Sequence, residues 1–197
     1  MNSSDEPDPP GANRLPAAGV LSENVRASGP RLIHRQRMIA ADWREVEDFL
    51  GRIPPVLASF PYSICLLSDR AIRRYNERFR QKNEATDVLS FPTGRIEPWE
   101  EDYLGDILIS VETAQRNAGR LGLRVEDEIK ALILHGLLHL LGQDHERDGG
   151  QMARNERRWA VRLGLTQNLL DRKQRSVRAR RRSLRRGSGK RSRQRPM

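Results

Sequence analysis

Residues 125–145 read VEDEIKALILHGLLHLLGQDH, and this stretch decides the architecture of the chain around it. Its Ile- and Leu-rich body predicts the longest helix of the protein, over 125–141. Gly142 follows directly, and without a Cβ it can take the left-handed conformation that ends a helix and turns the chain back. His135 and His139 stand four residues apart, so on a helix they project from one face about a turn apart. His145 lies beyond the turn, with a route to the same point from another direction.

Three of the four histidines in the chain thus fall in one short segment. Two imidazoles at this spacing can grip one ion. A third nitrogen leaves the fourth tetrahedral position open to water, the arrangement of catalytic rather than structural zinc. Zinc so held lowers the pKa of its water to about 7. The expected metal ligands are therefore His135, His139 and His145, around one Zn2+ per chain. The competing reading makes the histidines satisfied core residues, but burying two unpartnered imidazoles in an aliphatic helix is costly. The spacing is similar to the H-E-x-x-H-x-x-G-x-x-H of metzincin metalloproteases, Gly142 included. Their general base is the Glu after the first His; here that position is Gly136, so a peptidase would need another carboxylate.

Outward from this segment, strand and helix patterns alternate. Residues 31–38 suggest a first strand, and Trp43, Val46, Phe49 and Leu50 recur at helical spacing over 42–58, where Pro54-Pro55 interrupts or ends the helix. SICLL at 63–67 reads as a buried strand. Ser68-Asp69 offers an N-cap for a helix to Arg80, with Ile72, Tyr75 and Phe79 on one face. Strands are expected over 88–91 and 107–111, and helices over 112–120 and 149–163. The fold class is α/β (α+β), a small mixed sheet of about four strands packed with about five helices.

The ends differ from this body. Residues 1–29 are rich in Pro, Ser, Gly, Asp and Asn, without periodicity, and read as a disordered extension. Residues 172–197 hold 13 Lys and Arg and no acid, a basic tail expected to be disordered alone. The rest of the chain keeps 23 basic against 26 acidic residues, so the overall charge of +10 belongs to the tail and residues 1–171 carry −3. An RNA role for residues 30–171 must then rest on placed groups rather than bulk field. The lone Cys65 excludes an internal disulfide and reads as core. No run is long and apolar enough to span a membrane, and the N-terminus lacks signal-peptide features, so a cytoplasmic protein is expected. Aromatic residues make up 5% and form no run that would stack bases; Trp43, Trp99 and Trp159 are dispersed.

With these residues in hand, the chain resembles the YbeY family of bacterial endoribonucleases. The motif H-G-x-L-H-L-x-G-x-D-H is matched from His135 to His145. Further similarity lies in Phe79-Arg80-Gln-Lys82 leading to Thr86-Asp87-Val88-Leu89-Ser90-Phe91-Pro92, in Leu104-Gly105-Asp106-Ile107, and in Met152 with Glu156. The resemblance covers roughly residues 31–170 and leaves out the tails. It implies a zinc-dependent, single-strand-directed ribonuclease that matures the 3′ end of small-subunit (16S) rRNA and serves ribosome quality control. It also implies that Arg80 is functional near the metal, where a guanidinium can hold a phosphate. The expected catalytic residues are Arg80, His135, His139 and His145. The expected partners are small-subunit rRNA and the ribosome, with ribosomal or assembly-factor proteins possible and the basic tail adding phosphate affinity. Asp144 either orients a ligand imidazole or caps the turn. Asp87 and Asp106 either cap strand ends, the favoured reading, or line the cleft, and Ser90 lacks the partners of a nucleophile. The alternatives are a metzincin-like hydrolase or peptidase and a non-catalytic ribosome-assembly factor with structural zinc.

Overall fold

The computed structural model describes residues 29–93, 103–143 and 148–165. The basic tail, residues 1–28 of the N-terminal extension, and Trp99, Asp144 and His145 lie outside the described residues. Nine elements follow in chain order: β1 (Arg31–His34), α1 (Trp43–Gly51), β2 (Tyr62–Leu67), α2 (Asp69–Arg80), β3 (Val88–Pro92), β4 (Gly105–Ser110), α3 (Val111–Leu121), α4 (Val125–Leu140) and α5 (Gln151–Arg162). Among the described residues the chain forms the expected four strands and five helices.

The strands make one mixed sheet in the order β1-β2-β4-β3. β1, β2 and β4 run parallel, and β3 pairs antiparallel with β4 along the edge. The central strands, YSICLL and GDILIS, are buried at every position, as continuous apolar runs are when a sheet is covered on both faces. Ile64, Leu66, Ile107 and Ile109 join the larger core with α1 and α4. Cys65, Leu67, Leu89 and Leu108 face the other way and pack against Ile72 of α2. α2 and α4 therefore cover opposite faces.

Local chemistry sets the ends of the elements. Ser68 and Ser110 accept hydrogen bonds from the amides of Ala71 and Thr113, capping α2 and α3. α1 ends at Gly51 rather than near residue 58, because Ile53 precedes a proline and so disfavours helix. Pro54 instead opens a turn in which its carbonyl receives Leu57 and Ala58. β1 is shorter than the patterned stretch: the Gln36 side chain bonds both the amide and the carbonyl of Ile39 and leads the chain out of the sheet. β4 begins two residues earlier than the pattern suggests. There Gly105, at φ 131°, lies against the carbonyl of Phe91 where any Cβ would collide.

α4 is buried along most of its length. Its polar first turns are matched to α1: Lys130 donates to Glu45 and lies 3.4 Å from Asp127, Arg124 donates to Glu45, and Glu126 accepts from the Asp42 amide at 2.8 Å. At its far end the Gln143 amide donates to Leu138 and the Gly142 amide to His139, with Gly142 at φ 78°. Gly142 takes the expected left-handed conformation, and the two bonds make a Schellman closure.

A histidine pair beside the edge strand

The histidine half of α4 lies against β3 and β4 with almost no clearance. A Cβ at Gly136 would stand 2.7 Å from Ile107 Cγ2 and 3.1 Å from Ser90 Oγ. Glycine at this position is thus a packing requirement, and it brings the helix axis in close to the edge strand. The absent metzincin-type carboxylate has the same cause, since its place is occupied by the sheet.

His135 and His139 meet as their spacing predicts. Their Nε2 atoms are 3.2 Å apart, with ring centroids at 4.7 Å and planes crossed at 82°. His135 is 7% exposed. Its Nδ1 lies 3.2 Å from Oε1 of Glu156, which α5 delivers from twenty-one residues away. α5 is seated by buried Met152 and Ala160 and tied to the turn after α4 by Asn155, which donates to Gln143 at 3.1 Å. Asp148 accepts from the amides of Gly150 and Met152 at the start of α5, and the Met152 amide above all holds its carboxyl below the usual range.

The carboxylate beside Nδ1 favours the tautomer with the proton on that nitrogen, leaving Nε2 of His135 as a lone pair. Two ring nitrogens 3.2 Å apart then share either a proton or a cation. Nitrogens bound at 2.0–2.1 Å to one tetrahedral ion stand about 3.3 Å apart, so the pair suits a shared ion. Among the described residues no group of three or more His, Cys, Asp or Glu is placed to hold a metal. The expected third nitrogen, on His145, lies outside them, as does Asp144.

Arg80 is the exposed last residue of α2, on the other side of the sheet from α4. The edge strand links the two. Ser90 pairs with Ile107 and faces Gly136, next to His135, while Phe91 pairs with Asp106 and faces α2. Phe91 meets Phe79, next to Arg80, with centroids at 4.9 Å. The spread of aromatic residues along the chain concealed this cluster, which joins Tyr75, Phe79 and Phe91.

The remaining residues take structural places. Asp87 caps β3 by accepting from the Val88 amide at 3.0 Å. Asp106 is the second residue of β4, 1% exposed, and accepts from the Tyr103 hydroxyl at 2.8 Å. Cys65 is core, its thiol pushed up to about 12 by burial. Trp43 stands edge-on to His34, and Trp159 packs against the larger core under Arg162. Glu156 was legible only as one of the matched signature residues, because a carboxylate in a polar helix face carries no mark of its target.

A family model described as "Endoribonuclease YbeY" matches residues 35–164. An endoribonuclease YbeY from Solibacter usitatus is 44% identical over 130 residues, covering 66% of this chain and 84% of that protein. One from Nautilia profundicola is 43% identical, covering 61% of this chain and 85% of its own length. One from Helicobacter pylori is 41% identical, covering 64% and 87%.

Proposed function

The chain belongs to the YbeY family of endoribonucleases, and from that premise we propose that it is a zinc-dependent ribonuclease cutting single-stranded RNA, in 3′-end maturation of small-subunit rRNA and ribosome quality control. The observation that carries the metal reading is the pair of Nε2 atoms 3.2 Å apart, one of them on a ring held by Glu156. His135 and His139 supply two ligands, and His145 the third. When bound, zinc supplies Lewis acidity toward a phosphoryl oxygen and acidifies water to a pKa near ~7.

The protein's own groups do the rest. Glu156 keeps the Nδ1 proton of His135 in place and its Nε2 lone pair free of it. Arg80 grips a phosphate across the edge strand and offsets charge developing on phosphorus. Gly136 leaves no room for a peptidase-type base, which speaks against the metzincin-like alternative. The basic tail adds phosphate affinity that weakens with salt. No helix among the described residues is long and apolar enough to cross a membrane, which is compatible with work on rRNA in the cytoplasm.

The test is elemental analysis alongside cleavage of a single-stranded RNA, for wild type, His139→Ala and Glu156→Gln. We expect about one zinc per chain in wild type, and loss of both metal and cleavage in a still-folded His139→Ala. Glu156→Gln should weaken zinc about 10- to 100-fold. Cleavage that persists without zinc overturns the metal reading, and a His139→Ala chain that unfolds supports structural zinc instead. A 2′,3′-cyclic product end would identify the RNA 2′-hydroxyl as the nucleophile.

A further inference from the structure

The end of α2 presents an arrangement that neither the core nor the histidine pair uses. Phe79 is 41% exposed, although it belongs to a contiguous aromatic cluster. Its ring lies nearly parallel to Tyr75, with centroids at 6.5 Å and planes at 10°, and edge-on to Phe91 at 4.9 Å. The Arg78 guanidinium stands 5.4 Å from the Phe79 centroid. A single exposed Phe on a surface is ordinary. Three rings in contact, the outermost open to solvent and flanked by cations, are a different object.

The cations themselves set this patch apart. Arg78, Arg80 and Lys82 are exposed, and among the described residues none of them has an ion-pair or side-chain hydrogen-bond partner. Gln81 between them holds a left-handed conformation, φ 58°, rare for a residue with a Cβ. It ends α2 and turns Lys82 back so that its amide bonds the Asn76 carbonyl. Asn76 in turn donates to the Glu84 carbonyl at 2.8 Å, fixing the loop that follows. The patch is therefore held by its own backbone, with its charges left over.

We propose that Phe79, supported by Tyr75 and Phe91, is a stacking platform for an unpaired base of the RNA strand, whose phosphates lie on Arg78, Arg80 and Lys82. This rests on the ribonuclease reading above and extends it. Aromatic faces carrying bases beside cations that track phosphates are the common solution for binding single strands. The location supports it: successive residues of one edge strand, Ser90 and Phe91, touch the helix of the histidine pair and the platform respectively. A strand passing round that edge reaches both. Base pairing would hide the stacking face, so the platform gives a physical source for preference toward unpaired RNA.

The experiment compares wild type with Phe79→Leu, which keeps an apolar side chain beside Tyr75 and Phe91 and removes the aromatic face. Each is titrated by fluorescence anisotropy, before appreciable cleavage, with a short single-stranded RNA and with the same strand made abasic at successive positions. Both strands carry the same phosphates, so the basic tail contributes equally to each. Wild type should bind the intact strand about tenfold more tightly than an abasic strand at one position. Phe79→Leu should abolish that difference while keeping its zinc and fold. Wild type that cuts RNA yet binds intact and abasic strands alike overturns the platform and leaves the ribonuclease reading standing, as does a preference that survives in Phe79→Leu. Wild type that neither binds nor cuts single-stranded RNA overturns both.

Discussion

Two groups of cations occupy opposite sides of the sheet, and the protein treats them differently. Lys130 and Arg124, where α4 meets α1, both donate to Glu45, and Lys130 also lies near Asp127. Arg78, Arg80 and Lys82, where α2 ends, have no such partner among the described residues. The first group is satisfied within the fold, so its electrostatic field is largely cancelled at short range. The second keeps its field for whatever approaches. Burial explains the pairing of Lys130, whose side chain is 5% exposed, since a charge so enclosed must be neutralised nearby; Arg124, 56% exposed, joins it on the same carboxylate. The histidine pair stands between these cases, with one nitrogen held by Glu156 and two nitrogens turned toward each other.

The comparison breaks most visibly at Glu45. Glu45→Ala would leave the Lys130 ammonium buried with only Asp127 at 3.4 Å, and should cost about 2–3 kcal/mol in urea denaturation. RNA affinity and its salt dependence should not move. The same pairing has a pH signature. Hydrogen bonds from Lys130, then from Arg124, hold the Glu45 carboxyl below its ordinary 4.5. A lowered folded-state value means the stabilisation is fully present above 4.5 and is lost as pH falls through the lower folded value. Glu45→Gln should flatten that acid limb of the stability profile; an unchanged limb would show that the pair contributes nothing there.

A smaller loss is expected where α4 presses on the sheet. Gly136→Ala places a Cβ 2.7 Å from Ile107 and should destabilise by about 1–3 kcal/mol, read as a lowered Tm. If stability held, the close approach would be relaxed easily and glycine would not be required. The least change in stability is expected at α2. Arg80→Ala should stay within about 0.5 kcal/mol of wild type in denaturation, because the residue is exposed and has no ion-pair partner among the described residues. Its effect should appear in RNA binding, where affinity drops and the slope against log salt flattens by about one unit. A stability loss without a binding change would place Arg80 with the internally paired cations and erase the comparison.

The order of strands and helices was readable along the chain because each element depends on neighbours in sequence. Alternating caps and apolar runs placed β2, α2 and α4 to within a residue or two, and Gly142 ended its helix for reasons local to its own backbone. The spacing of His135 and His139 likewise fixes their meeting once a helix forms, since i and i+4 share a face. Where local signals are weak, contacts in the folded chain set the boundary: β1 stops at His34 because of the Gln36 turn, and β4 reaches back to Gly105 because Phe91 crosses it closely.

Other features belong to the tertiary structure alone. That Glu156 orients His135, that Gly136 must be small, that Asp106 is buried beneath Tyr103, and that Phe79 and Phe91 form one surface all depend on which elements pack together. No periodicity encodes the placement of β3 at the sheet edge, antiparallel to β4, between the histidine pair and the aromatic cluster. Periodicity tells a side chain which way to face. It is the packing of distant segments, through the hydrophobic burial that holds them, that decides what the side chain will meet there.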